Sequence, residues 1–266
     1  MANINDMIHF DPQEQRRPLD MGHKVVWDSF RALKNRINDV VIKLVDMEIF
    51  VEHVKKYNSQ APQKIPMSAL FIKTLATAVK KFPRINYMTR GYSVIVPSQI
   101  DIGLTIATKE PLSPVAVVRN AGQKSVIELA SELGDLIKET VQKEREDIAS
   151  FGRLCRFLPG GFFRRALIKL VLRNQRINRA NFGTIQLSAM HRTDLDFGMT
   201  STTGTTLFVV GGMKKRPMVI EDQVVPRLTA YHMLQGNHAI LSGTYAIDFF
   251  AEYQRLVRHP EEFLSE

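Results

Sequence analysis

Gln235-Gly236-Asn237-His238-Ala239-Ile240-Leu241-Ser242-Gly243-Thr244 is the stretch on which the reading of this chain turns. Just upstream, Leu228–Leu234 has the composition of a strand. Just downstream, Tyr245–Arg258 has helical periodicity and places Ile247, Phe250 and Ala251 together. The ten residues between them are therefore a strand-to-helix turn. A histidine there, between Gly236 and Gly243, can approach a substrate closely, and the ordinary imidazole pKa suits a general base near neutral pH. A histidine hydrogen-bonded inside the turn satisfies the same pattern, and local sequence does not separate the two.

Working outward, Asn38–Met47 is rich in β-branched residues and predicts a strand. It leads into a helix over Glu48–Tyr57, with Phe50, Val51 and Val54 on one face. Pro66 fits the start of a second helix, Met67–Phe82, which Pro83 stops. Tyr92–Val96, Ile100–Thr108 and Val115–Val118 read as strands, with a turn around Pro97 and Ser98. Ser125–Glu146 is a long amphipathic helix carrying Val126, Leu129, Leu133, Leu136 and Ile137 on its apolar side. Phe182–Leu187, Thr206–Gly211 and Met218–Ile220 complete the strands. Without strict βα alternation, this order predicts an α/β fold with a mixed sheet and helices packed on one face. Residues 1–20 read as a polar arm, and 21–266 as the main domain.

Composition narrows the function classes. The 44% apolar and 24% charged content is that of a globular chain. Cys155, the only cysteine, leaves no internal disulfide and no thiolate cluster for zinc, which fits a cytoplasmic setting. No secretory signal or membrane-spanning run is evident. The net charge of +9 is local: Arg153, Arg156, Arg164, Arg165, Lys169, Arg173, Arg176 and Arg179 lie in a segment, 151–180, without one acidic residue. So concentrated a charge, with no nucleic-acid module beside it, argues against nucleic acid as the partner.

Four motifs in one order add a resemblance. Val115-Ala116-Val117-Val118-Arg119-Asn120-Ala121 with Lys124-Ser125 is the first, and Gly183-Thr184-Ile185-Gln186-Leu187-Ser188 the second. The third is Phe208-Val209-Val210-Gly211 followed by Lys215-Arg216-Pro217, and the fourth Asn237-His238 through Ser242-Gly243. From about Val25 to Leu264 the chain thereby resembles the catalytic domain of the 2-oxo acid dehydrogenase acyltransferases, the dihydrolipoyl acyltransferase family. The resemblance implies a chloramphenicol acetyltransferase-like two-layer sandwich with its active site at a trimer interface. It also implies His238 as general base and Ser188 as oxyanion donor, contributed by neighbouring subunits. The substrate would be coenzyme A or another acyl-carrier thioester, with no metal. The acceptor would be a thiol, a hydroxyl or an amine.

Departures from the family pattern shape those expectations. Its aspartate before the histidine is Asn237, its following arginine is Ala239, and its later acidic or amide residue is Ser242, ahead of Gly243. In the wider fold that later residue holds the active-site loop through an ion pair or hydrogen bonds, and a serine cannot make the ion pair. A non-catalytic scaffold subunit therefore stands as the alternative. No lipoyl domain fits ahead of Val25, so a stand-alone enzyme using a diffusible or carrier-bound thioester is expected, with no lipoyl group on this chain. Residues 151–181 are a basic amphipathic insertion, suited to a carrier protein's acidic face, an anionic membrane surface or the wall of an acyl tunnel. A helix packed on its own domain with a solvated basic edge is the plainer reading.

Overall fold

The computed structural model describes residues 21, 24, 38–90, 93–108, 113–156, 160–199, 206–238 and 240–264. The expected polar arm at 1–20, and Ala239, lie outside them.

The β-branched run forms β1 (Asn38–Asp46), followed by α1 (Glu48–Gln60) and α2 (Met67–Lys81). Two short strands, β2 (Met88–Arg90) and β3 (Ser93–Ile95), make a small antiparallel sheet of their own. The turn at Pro97 and Ser98 consequently joins two sheets, not two paired strands. Then come β4 (Ile102–Thr105), β5 (Val115–Val118) and α3 (Val126–Arg156). A reciprocal cap starts α3: the Glu128 N–H donates to Ser125 Oγ at 3.2 Å, and the Ser125 N–H to Glu128 Oε2 at 2.7 Å. The helix runs ten residues past the expected Glu146 and takes in residues 151–156 of the basic segment.

The rest of the basic segment is two helices, α4 (Gly160–Arg173) and α5 (Gln175–Phe182), split at Asn174, whose side chain caps α5. Phe182 closes α5, so β6 (Ile185–Ala189) begins three residues later than the expected strand. The last strands are β7 (Thr206–Val210), β8 (Lys214–Ile220) and the 15-residue β9 (Gln223–Asn237), followed by α6 (Gly243–Arg258) and α7 (Glu261–Leu264).

The main sheet is mixed, in the order β1-β9-β7-β6-β4-β5, with β8 pairing the outer half of β9. β6 is parallel to both β4 and β7; the other neighbours are antiparallel. One face carries the core: Val45, Ile185, Leu187, Phe208, Val210 and Leu234 meet Phe50, Phe71, Leu75 and Leu129 from the helices. α6 enters this core through Ala246, Phe249, Phe250, Tyr253, Leu256 and Val257. The apolar face expected from Ile247 and Ala251 is displaced, since both are exposed and only Phe250 of that trio is buried. The other sheet face holds a smaller cluster of Leu207, Val209 and Met233, with Val40 and Met190 against it.

Candidate active site

Gly183 is where the Ser188 strand is fixed. Its φ is +73°, and a Cβ there would meet the Asp101 carbonyl oxygen at 2.5 Å, so a side chain would be both strained and blocked. Thr184 fastens the same point: its hydroxyl accepts from the Asp101 N–H at 3.1 Å and also bonds Asn86 Oδ1, while its own N–H donates to the Asp101 carbonyl at 2.7 Å. The Asp101 carboxylate, 2% exposed, accepts from Arg179 Nε at 2.7 Å, Arg119 Nη1 at 3.2 Å and the Asn120 N–H at 3.0 Å. Burial alone would raise its pKa. The Asn120 N–H and the two guanidinium groups outweigh burial and hold the carboxyl below the usual range. Arg119 also donates to the carbonyls of Arg179 and Ala180, closing the end of α5. The Arg119-Asn120 motif and the Gly183-Thr184 motif are therefore two halves of one clasp.

Ser188 follows on β6, opposite Thr105 of β4 and Val209 of β7. It is half-buried, and its hydroxyl makes no hydrogen bond among the described residues, so a strand-end serine tied to backbone is not what is found.

The His238 turn is built differently. Gly236 lies against Leu241, whose Cδ1 would sit 2.3 Å from an added Cβ. The N–H groups of Ile240 and Leu241 both donate to the Asn237 carbonyl, at 2.9 and 3.0 Å, which closes the turn. Ser242 caps α6, its hydroxyl accepting from the Tyr245 N–H at 3.3 Å and meeting Thr244 Oγ1 at 3.0 Å. Ser242 thus serves as the helix cap at this position. Gly243 has open space around its Cα, so nothing steric requires glycine there.

His238 itself is open, with 62% of its side chain exposed, and its Nδ1 contacts the Asp39 carboxylate. A carboxylate only accepts, so Nδ1 is the nitrogen that donates to Asp39, and Nε2 makes no hydrogen bond among the described residues. Sequence reading missed Asp39. The signal was the pairing of β1 with β9, which sets Asp39 opposite Gly236, two residues before His238.

His238 and Ser188 do not meet within one chain. Through the strand registers, Met233 on β9 is level with Ser188 on β6, two strands away, and His238 lies five residues further along, just past the end of β9. At ordinary strand spacing the two Cα atoms are roughly 19 Å apart. Ser188 shares its row with Val209 and Met233, on the face away from the helix-side core, whereas His238 stands in the turn just past the end of β9.

A second histidine, His232, sits on β9 in the helix-side core. Its ring lies edge-on to Tyr253 at 5.3 Å, Phe208 at 5.8 Å and Phe71 at 6.4 Å, and neither ring nitrogen has a polar partner among the described residues. Burial lowers its pKa to about 3, so the ring is neutral. Among the described residues no group of three or more His, Cys, Asp or Glu is placed to hold a metal ion, and no helix is long and apolar enough to cross a membrane.

Comparison with known proteins adds the lineage. The family model for the catalytic domain of 2-oxoacid dehydrogenases acyltransferase matches residues 11–148, just over half of the chain, and ends before Ser188. The yeast (Saccharomyces cerevisiae) mitochondrial dihydrolipoyllysine-residue succinyltransferase component of the 2-oxoglutarate dehydrogenase complex is 25% identical over 225 residues, 83% of this chain and 42% of that protein. This chain therefore spans less than half of that relative. In structure, the dihydrolipoamide acetyltransferase of Azotobacter vinelandii matches with TM-score 0.70 at 17% identity, over 95% of this chain and 94% of that one. A chloramphenicol acetyltransferase matches with TM-score 0.51 at 14% identity, over 91% and 100%. The fold is the chloramphenicol acetyltransferase-like fold, and the chain belongs to the family of 2-oxoacid dehydrogenase acyltransferase catalytic domains.

Proposed function

We propose that this protein is an acyltransferase that attacks a thioester carbonyl, with each site formed by His238 of one copy and Ser188 of the next. The observation that carries this reading is the separation just described. An exposed imidazole and an unbonded strand hydroxyl stand far apart within one chain, and a neighbouring copy can bring them together. The related Azotobacter enzyme points the same way, since a serine, a histidine and an asparagine four places after that histidine were studied for roles in its catalytic mechanism. Ser242 stands at that last spacing here and caps the loop instead.

The steps follow from the groups. His238 Nε2 removes the proton from the acceptor thiol, hydroxyl or amine as its sulfur, oxygen or nitrogen bonds to the thioester carbon. Negative charge moves to the carbonyl oxygen, where the Ser188 hydroxyl donates a hydrogen bond. Collapse of the tetrahedral adduct breaks the carbon–sulfur bond, and the imidazolium returns its proton to the departing thiolate. Asp39, accepting from Nδ1, orients the ring and faces the imidazolium while it carries charge. The donor is an acyl-coenzyme A or a carrier-bound thioester, and the assembly is a trimer or a multiple of it.

The test is complementation. His238→Ala and Ser188→Ala proteins are each assayed for thiol release from acyl-coenzyme A, then unfolded together in equal amounts and reassembled. In a ring of three, each mixed trimer holds one intact pair, so about a quarter of the native rate returns. No recovery, with mixed trimers verified by mass, rules out a site shared between copies. A native protein that assembles but turns over no thioester supports the scaffold alternative.

A further inference from the structure

The outer face of α4 is unlike the other helices. Ile168, 5% exposed, turns into the protein, and α4 rests on α5, which in turn packs on β4 and β5. An amphipathic surface helix ordinarily keeps its large apolar residues on that inner side. Here Phe162, Ala166 and Leu170, spaced four apart, form a second ridge facing out, with Phe163 beside it. Phe162 and Leu170 are each 69% exposed and Phe163 is 52% exposed. The two phenyl rings brace each other edge to face, 5.6 Å apart at 84°. Lys169 flanks the ridge, and Arg176 and Ile177, both exposed, extend the surface onto α5. From Phe151 to Ala180 there is no acidic residue to oppose a negatively charged surface.

We propose that this face of α4 and α5 docks the protein onto an anionic lipid bilayer. Phe162, Phe163 and Leu170 enter the acyl–headgroup boundary, and the surrounding cations meet lipid phosphates. Three features favour lipid over other occupants. The ridge is exposed and apolar, which suits insertion between lipids; an acidic carrier protein would need the cations and have little use for two phenyl rings. A second copy of this face would bring like charge against like charge. The helix, about 21 Å long at 1.5 Å per residue, can lie flat with the ridge down. Docking is read without turnover, so it stands or falls independently of the acyltransferase reading.

The full chain is sedimented with vesicles of phosphatidylcholine alone and of phosphatidylcholine with phosphatidylglycerol. Binding is expected to the anionic vesicles only and to weaken several-fold in 0.5 M salt, as charge attraction is screened. The triple change Phe162→Ser, Phe163→Ser, Leu170→Ser should lower it at least tenfold, with unchanged melting temperature and unchanged release of thiol from a short acyl-coenzyme A. Lys169→Glu with Arg176→Glu, which leaves the ridge intact, should lower it several-fold and serves as the second arm if the triple variant fails to fold. Failure of the native protein to bind anionic vesicles overturns the proposal, as does undiminished binding by both variants. So does a triple variant that loses oligomeric mass while keeping vesicle binding, which assigns the ridge to a second copy. Capture of an acidic acyl carrier protein in place of vesicles, lost in the charge-reversed variant, likewise overturns it.

Discussion

His232 and His238 lie six residues apart along β9 and its exit, yet their surroundings give the same side chain opposite duties. His232 is enclosed by Phe71, Phe208 and Tyr253 with no polar partner among the described residues, and its burial holds it neutral. His238 stands mostly in solvent with one nitrogen on the Asp39 carboxylate and the other free. A histidine without partners in an apolar cage cannot exchange protons with a substrate. One that is half fixed and half open can. What separates them is the end of the sheet: β1 reaches Asp39 beside His238 but offers His232 only Lys43 as its register partner.

The sharpest way to break this contrast is to remove each ring in turn. His238→Ala should lower thioester turnover about a thousandfold, within the usual range for a lost general base. Its melting temperature should stay near native, because so exposed a side chain contributes little packing. A variant that keeps its turnover would transfer the chemistry to another group. His232→Leu should do the reverse, keeping most turnover at neutral pH while changing acid stability. The sign is fixed by burial: the folded ring resists protonation down to about pH 3, whereas the unfolded ring takes a proton below its ordinary pKa of 6.5. Native stability is therefore complete above pH 6.5 and lost as pH falls toward 3. At pH 4.5 that loss is about 3 kcal/mol. Melting curves from pH 7 to 4.5 should accordingly fall more steeply for the native protein than for His232→Leu. Parallel curves would mean that His232 is not held neutral.

The smallest effect is expected at Asp39. Asp39→Asn should reduce kcat about tenfold with KM unchanged, less than in a buried triad because water can replace an exposed carboxylate. Asp39→Glu should restore part of it. A fall in melting temperature with no change in kcat would make Asp39 a strand-edge residue with no part in orienting the imidazole.

Much of this architecture was legible in the chain. Strand runs such as Asn38–Asp46 and Thr206–Val210 announce themselves by β-branched composition, and Met67–Lys81 by its period and its bounding prolines. Less legible was what depends on neighbours distant in sequence. Phe182 was expected in a strand but ends α5, because the Arg119–Asp101–Arg179 clasp fixes that helix end and Gly183 makes the break. Ile247 and Ala251 share a periodicity with Phe250 but turn to solvent, since α6 is rotated to bring Phe249 and Tyr253 against Phe208. At the candidate site, His238 and Ser188 could be singled out by motif, whereas Asp39 lies 199 positions from the ring it holds and only strand pairing discloses it.

On the shared-site reading proposed above, the separation of Ser188 and His238 within one chain has a consequence for the life of the protein in the cell. On that reading a freshly made chain owns both halves of the machinery but no finished copy of it, so it cannot squander thioesters before it finds companions. Catalytic output then depends on crowding: halving the amount of protein removes more than half of the activity once dilution begins to pull the copies apart.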